Sequence, residues 1–169
     1  MAADGIDDGE GGKISYGRLP SLVGYHLRRA QVADFGGFAL AVTAVEGVSP
    51  GRFGMLQVIA ANPGLSQSQL AEAMEVDRSA IVKVVDDFQR RGLIKRVALP
   101  RDRRRYSLQM TDAGLAALGR MEARVLSHEE RLTQALSDDE RRVLIHLLER
   151  LYSRRALNDE TRNLEGRSE

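Results

Sequence analysis

The sequence has 169 residues, of which 43% are hydrophobic, and this is typical of one globular domain with helical extensions. It contains no cysteine, which excludes disulfides, thiolate metal sites and a cysteine-based redox switch. No apolar run approaches the roughly 20 residues that span a bilayer, and the N-terminus lacks the apolar core of a signal peptide. We therefore expect a cytoplasmic protein.

The net charge of +1 conceals an uneven distribution. Residues 75–105 contain ten Lys or Arg and five Asp or Glu, a net +5, which leaves −4 on the rest of the chain. Such a basic block is typical of a surface that binds a polyanion. On charge alone, an ordinary solvated surface is an equally good explanation.

The first predicted element after the N-terminal tail is a long helix. Residues 1–15 are acidic and rich in glycine, which predicts a disordered tail. Apolar residues from Leu19 to about Val45 recur at loose helical spacing. Gly36 and Gly37 lie inside this helix, where they indicate a kink, a break or the close approach of another backbone.

Three further helices are predicted between Ser49 and Arg91. Ser49 and Pro50 suit the start of the second, which Asn62-Pro63-Gly64 ends. Ser66 and Gln69 have the spacing of a capping box and predict a short third helix. Asp77 suits the N-cap of a fourth helix that runs to Arg91 and stops at Gly92. The predicted inward residues of these three helices are Phe53, Leu56, Ile59, Ala60, Leu70, Ala71, Met74, Ile81, Val84, Val85 and Phe88.

Two short strands and two more helices follow. Residues 93–99 and 106–110 alternate apolar and polar side chains as strands do, and residues 100–105 form a tight basic connection between them. A fifth helix is predicted from Thr111 to about Gln134, and a second capping box at Ser137 and Glu140 begins a sixth. The sixth carries an apolar stripe, and residues 158–169 are predicted to be a flexible tail. The stripe consists of Val143, Leu144, Leu147, Leu148 and Leu151.

This order of elements predicts a mainly α fold (α+β) that contains a winged helix-turn-helix. Residues 47–111 form the predicted DNA-binding domain, and residues 16–46 and 112–157 form a helical dimerisation region. The second helix of a helix-turn-helix enters the major groove with its first residues nearest the bases. Those residues are Arg78, Ser79, Val82 and Lys83, which fall opposite the apolar stripe.

The neighbouring segments supply the predicted backbone contacts. The start of the third helix, Ser66, Gln67 and Ser68, offers N–H groups and polar side chains to a phosphate. Arg101, Arg103 and Arg104 at the hairpin tip could reach a narrow minor groove. A capped pair of helices or an arginine-rich loop alone is usually plain scaffold or solvated surface. The combination, in this order, is far more specific for nucleic-acid binding.

At these residues the sequence resembles the MarR family of bacterial transcription regulators. The resemblance covers about Leu19 to Leu151 and is sharpest between Ser66 and Gly114. The segments that carry it are Leu70-Ala71-Glu72, Asp77-Arg78-Ser79-Ala80-Ile81-Val82-Lys83-Val84-Val85-Asp86, Arg91-Gly92-Leu93-Ile94, and Asp102-Arg103-Arg104 leading to Leu108-Gln109-Met110-Thr111-Asp112-Ala113-Gly114.

The resemblance implies a homodimer that reads a pseudo-palindromic operator in double-stranded DNA. The first helix and the last two would form the dimer interface, and the apolar stripe on the last helix independently favours a partner over packing within its own subunit. In the wing, Arg104 would enter the minor groove and Asp102 would orient it. Val82 departs from the polar residue that the family often has at its position.

The resemblance also implies a small aromatic or anionic effector, such as an aromatic acid or its CoA thioester, that releases the repressor from DNA. Its pocket would lie between the dimerisation helices and the winged domain. Arginines there could pair with a carboxylate or phosphate and aromatic rings could stack on the ligand, although each residue has an ordinary structural explanation. The candidates are Tyr25, His26, Arg29, Phe35, Phe38, Arg52 and Phe53.

Two other functions stay open at this point: a DNA-binding regulator that responds to no ligand, and a winged-helix module that binds an acidic protein. An enzyme is not expected, because the sequence has no nucleophile–base arrangement, phosphate loop or dinucleotide motif. No cofactor and no metal site are expected either, since the histidines are scattered and cysteine is absent.

Overall fold

The computed structural model describes residues 14–99 and 102–153, and the side chains of residues 99 and 102–105 are outside that description. The predicted tails therefore lie mostly outside the described residues. The helices are α1 (Val23–Phe38), α2 (Ala44–Glu46), α3 (Pro50–Ala61), α4 (Gln67–Ala73), α5 (Arg78–Arg90), α6 (Asp112–Leu132) and α7 (Asp138–Tyr152). The strands are β1 (Ile94–Leu99) and β2 (Asp102–Met110).

The predicted first helix is present but is not uniform. A 3₁₀ turn at Leu19–Ser21 precedes α1, and a π-helical turn at Ala39–Thr43 separates α1 from α2. Gly47, with a φ of 64°, ends α2 in the left-handed conformation. The irregularity thus follows Gly36 and Gly37 instead of falling on them.

Gly37 allows a side chain, not another backbone, to approach α1 closely. The imidazole of His128 in α6 lies where a Cβ on residue 37 would be. His128 is buried, and its Nε2 lies 3.0 Å from Oδ1 of Asp34 in α1. This His–Asp pair joins α1 to α6 within residues 1–128.

The core lies within the helix-turn-helix and the helices around it. Leu56 and Ile59 of α3, Leu70 of α4 and Leu108 of β2 are almost completely buried. Phe53 and Ala60, predicted inward, are partly buried, and so are Met74 and Val84. The helical spacing of the apolar residues therefore located the core of α3, α4 and α5 well.

The two strands form an antiparallel hairpin that is longer than predicted. Ile94 pairs with Met110 and Ala98 with Tyr106, and an irregularity at Ala98 and Leu99 brings Leu99 opposite Asp102. The sequence placed residues 102–105 in the connection, but their backbone belongs to β2. The hydrogen-bond ladder of a hairpin joins backbone groups and does not need the apolar alternation that marks residues 106–110.

The chain divides into two compact units, residues 1–128 and 129–169. In the second unit, α7 begins with the predicted capping box, in which the Ser137 hydroxyl accepts from the backbone N–H of Glu140. The carboxylate of Glu140 accepts in return from the backbone N–H and the hydroxyl of Ser137, which lowers the pKa of Glu140. This carboxylate therefore supports the folded helix at neutral pH and loses that effect as the pH falls through its lowered pKa.

Among the described helices, none is by itself long and apolar enough to cross a membrane. The pair Val23–Glu46 and Pro50–Ala61, bent by 66°, meets the length and composition requirement only when the two are joined.

We predict that Gly37→Ala destabilises the fold by about 1–3 kcal/mol, because the new methyl group overlaps the His128 ring in a packed site. Urea unfolding at a fixed protein concentration measures this cost. In a His128→Ala background the same substitution should cost much less, because the ring is gone. Equal costs in the two backgrounds would show that the overlap is not the cause.

Candidate nucleic-acid interface

Helix α5 is positioned by one apolar face. Ile81, Val85 and Phe88 follow one another at intervals of four and three residues and are fully buried. Asp77 occupies the predicted N-cap position, although its side chain makes no capping hydrogen bond. Because the buried stripe fixes the rotation of the helix, the opposite face points away from the core.

All four residues predicted to contact bases lie on that outward face. Arg78, Ser79, Val82 and Lys83 are exposed and occupy the first two turns of α5. Neither the side chain of Arg78 nor that of Lys83 forms a hydrogen bond or ion pair with another described residue. Two cations, a hydroxyl and an apolar side chain are thus free to meet a ligand at one end of one helix.

The three polar residues predicted to bind a phosphate at the start of α4 differ in how accessible they are. The capping box at Ser66 and Gln69 is present, and it occupies the Ser66 hydroxyl: this group accepts from Gln69 N and donates to Gln69 Oε1. Gln67 is half-buried, and its Nε2 has no hydrogen-bond partner among the described residues. Ser68 is exposed. The hydroxyl of Ser68 is therefore better placed than that of Ser66 to meet a phosphate.

The predicted wing contacts fall at the edge of what the structure describes. Arg101 lies outside the described residues. Asp102, Arg103 and Arg104 have their backbone in β2, but their side chains are outside the description. Their minor-groove and orienting roles stay predictions.

Arg96 was missed by the sequence reasoning and joins the wing to α5. Its guanidinium donates to Asp86 Oδ1 through Nη2 and to Gln89 Oε1 through Nη1. On β1, Arg96 occupies the position that pairs with the buried Leu108, so it lies on the face of the hairpin that meets α5. No sequence signal marked this contact, because the apolar positions of the predicted alternation in this strand are Val97 and Leu99, whereas Arg96 is the residue in register with Leu108.

A groove of about 990 Å³ runs along the start of α1. In it, Nη1 of Arg29 donates to the Tyr25 hydroxyl at 3.2 Å, and its guanidinium carbon lies 5.8 Å from the centre of the Tyr25 ring. This hydrogen bond raises the pKa of Arg29. The groove is lined by Leu19, Leu22, Val23, Gly24, Tyr25, Arg28, Arg29, Val32 and Ala33.

Of the seven predicted effector residues, the structure places only Tyr25 and Arg29 in this groove. His26 bonds to the carbonyl of Pro20, and Phe35 is exposed outside the groove lining. The others have structural partners: Phe38 is a core residue that packs on Phe53 at 6.0 Å between ring centres, and Arg52 pairs with Asp87 at 2.9 Å. Arg28 also lines the groove but was not among the predicted effector residues.

Comparison with known proteins gives a consistent result. Residues 46–105 match the model of the MarR family. A protein of Thauera aromatica, described as a transcriptional regulatory protein for the hcr operon, is 54% identical over 140 residues, which are 83% of this chain and 84% of that protein. The chain belongs to the MarR family.

Solved structures of other regulators agree with this membership. The transcriptional repressor CouR, bound to a 23-mer DNA duplex, is 36% identical and covers 83% of this chain and 99% of its own, with a TM-score of 0.78. PcaV of Streptomyces coelicolor, in complex with its natural ligand, is 31% identical and covers 82% and 96%, with a TM-score of 0.72.

These relatives confirm the predicted family and the mainly helical winged fold. The protein is a DNA-binding transcription regulator and not an enzyme. The individual DNA contacts are tested by neither the family match nor the relatives, and they remain predictions.

We predict that Arg96→Ala lowers the free energy of unfolding by about 0.2–1 kcal/mol, because the pair with Asp86 is partly exposed, with 24% and 52% of the two side chains accessible. Asp86→Ala should add little in the Arg96→Ala background, since both remove the same pair. Lys95→Ala, which removes a neighbouring exposed charge on the same strand, is the control. Full additivity of the Arg96 and Asp86 effects in urea unfolding would contradict the assigned contact.

Proposed function

We propose that the protein is a homodimeric, cytoplasmic repressor of a nearby operon, which binds a pseudo-palindromic operator and is released by a small aromatic or anionic ligand. The observation that carries the DNA-binding part is the outward face of α5, where Arg78 and Lys83 are exposed and free of described partners. Arginine at this place can bind guanine with two hydrogen bonds, and Val82 can touch a thymine methyl. Residues 47–111 are the proposed DNA-binding domain.

Dimerisation is supported by apolar surface on helices at both ends of the chain, which we assign to residues 16–46 and 112–157. In the first unit, Leu27 and Phe35 of α1 and Leu40 of the π-helical turn are exposed and lie outside the groove lining. In the second unit, most of the α7 stripe is also exposed, including Val143 and Leu147. Faces of this kind are costly to leave in water, and a second copy of the chain would cover them. The 23-mer duplex bound by CouR is long enough for two half-sites one helical turn apart.

The wing is the proposed second point of contact. Because β1 ends at Leu99 and β2 begins at Asp102, residues 100 and 101 connect the strands at the far end of the hairpin. Arg101, Arg103 and Arg104 would lie in or beside this connection, where we assign Arg104 to the minor groove and Asp102 to orienting it. Ser68, with the backbone at the start of α4, would bind a phosphate.

We predict that Arg78→Ala weakens operator binding by about 1–3 kcal/mol and relaxes the preference at one base position. The measurement is fluorescence anisotropy with a duplex selected in vitro by the wild-type protein, followed by single-base variants of that duplex. Arg90→Ala removes the same charge from the far end of α5 and serves as the control. If both variants lose the same affinity at every base, Arg78 contributes only charge and the proposed base contact is wrong.

The groove on α1 supports an aromatic acyl thioester as the ligand that releases the repressor from DNA. Its wall joins an aromatic ring, Tyr25, to two cations, Arg28 and Arg29, and to aliphatic side chains. The two cations can pair with the phosphates of a CoA thioester, which a lone aromatic acid lacks. CouR has been solved with p-coumaroyl-CoA, with 34% identity, coverage of 82% and 97%, and a TM-score of 0.72.

We predict that p-coumaroyl-CoA raises the melting temperature of the wild-type protein and that Arg29→Ala removes most of this shift. At a ligand concentration of 100 times Kd, the stabilisation should be about 2.7 kcal/mol. Arg90→Ala, an equal loss of charge outside the groove, should keep the shift. Free p-coumarate and CoA alone distinguish which half of the ligand is bound. No shift with any of the three compounds would contradict this choice of ligand, and a full shift in Arg29→Ala would contradict the site.

A further inference from the structure

The end of α5 is bound to the end of α2, the short helix that follows α1 and its π-helical turn. Arg91 is the C-cap residue of α5, and its Nη2 donates to the carbonyl of Glu46 at 2.6 Å, while Nη1 donates to the carbonyl of Gly47 at 3.3 Å. These carbonyls close α2. The last carbonyls of a helix lack partners within the helix and carry partial negative charge, so a guanidinium is well suited to bind them.

Ionic contacts extend this connection to two more helices. Oδ2 of Asp87, one turn before Arg91, lies 3.9 Å from Nη1 of Arg91 and accepts from Nη1 of Arg52 in α3 at 2.9 Å. On the other side, the carboxylate of Glu46 accepts from Arg120 in α6 at 3.3 Å. The carboxylates of Asp87 and Glu46 are mostly buried, so these contacts are less screened by water than surface pairs are.

The helix between the groove and this contact has a built-in irregularity. The groove lies on the first half of α1, the π-helical turn Ala39–Thr43 follows α1, and Glu46 and Gly47 lie at the end of the short α2 that comes next. π-helical turns inside α-helices are energetically less favourable than regular turns and often occur at functional sites. Such a turn can change its geometry when α1 shifts. The change would move the end of α2, and Arg91 would pass this movement to α5.

We propose that Arg91 is a positioning residue that couples the state of α1 to the orientation of the recognition helix. Its own side chain binds the end of α2. Because α5 is one regular helix of 13 residues, a displacement at its C-terminal end also displaces Arg78 and Lys83 at its start. This proposal rests on the proposed function, since it assumes that α5 binds DNA and that the effector binds at α1.

The chain offers a matched control at the preceding residue. Arg90 contacts Asp87 at 2.8 Å but makes no described contact with α2, and 74% of its side chain is exposed, against 32% for Arg91. Arg90→Ala and Arg91→Ala therefore remove the same charge from the same end of α5, and both remove a contact to Asp87. They differ in the hydrogen bonds to the carbonyls of Glu46 and Gly47.

The deciding experiment is hydrogen–deuterium exchange of the full-length protein, with and without the selected duplex. Coupling between two sites is reciprocal, so DNA bound at α5 should slow the amide exchange of residues 39–47 in the wild type and in Arg90→Ala. In Arg91→Ala this protection should be lost, and the DNA affinity should fall by roughly fivefold or more. If Arg91→Ala does not fold, Arg91→Lys decides, because lysine keeps the charge but not the two-pronged hydrogen bonding.

The proposal is overturned if DNA slows the amide exchange of residues 39–47 equally in Arg90→Ala and in the Arg91 variant. Absence of protection in the wild type, while the DNA is bound, overturns it as well. A parallel titration with p-coumaroyl-CoA separates this outcome from failure of the proposed function. If this compound fails to release the wild type from DNA, the choice of ligand is wrong, whereas the exchange experiment still decides the role of Arg91.

Discussion

The structure depends above all on the complete burial of Ile81, Val85 and Phe88 along one side of α5. These three side chains fix the rotation of the helix about its axis, and with it the residues that face outward in its first two turns. The remaining sides of α5 then receive the wing through Arg96 and the end of α2 through Arg91. A recognition helix must satisfy both demands, because it can read DNA only if its outward residues are free and its inward residues hold it still.

The acidic residues of α5 show where the positive charge of this region is available. Counting alone gives residues 75–105 a net +5, but Asp86 and Asp87 occupy several of the arginines in that count. Asp86 binds Arg96, and Asp87 contacts Arg90 and Arg91 as well as Arg52 of α3. Of the cations in α5 itself, Arg78 and Lys83 have no described acidic partner. The unpaired positive charge of α5 is thus concentrated at the start of the helix. An ordinary solvated basic surface, the alternative explanation of the charge count, gives no reason for this concentration.

Local features of this fold could be predicted from the sequence, and long-range ones could not. The capping boxes at Ser66 and Ser137 were predicted correctly, because both partners lie within one turn. The arginine contacts join residues 10 to 45 positions apart, and no periodicity announces them. For the groove, Tyr25 and Arg29 were named from the family resemblance, and the structure places both in its lining because residues four apart meet on a helix. Phe38 and Phe53 were also proposed for it, but aromatic composition does not distinguish a ring that awaits a ligand from one that packs on another ring.

In the proposed function, the DNA-reading surface and the ligand-binding groove are separate. The groove lies on α1 and the reading face on the start of α5, and no residue is shared between the two. A ligand can then change DNA affinity only by favouring one arrangement of the helices over another. Well-packed elements transmit such a change better than flexible ones, because packed interfaces have discrete arrangements and do not deform continuously. In this chain the contact at Glu46 and Gly47 is made by hydrogen bonds to backbone carbonyls, whose direction is set by the helix itself. A change in the path of α1 beyond its π-helical turn would therefore alter the geometry of those bonds directly, without any need for a side chain in the groove to reach α5.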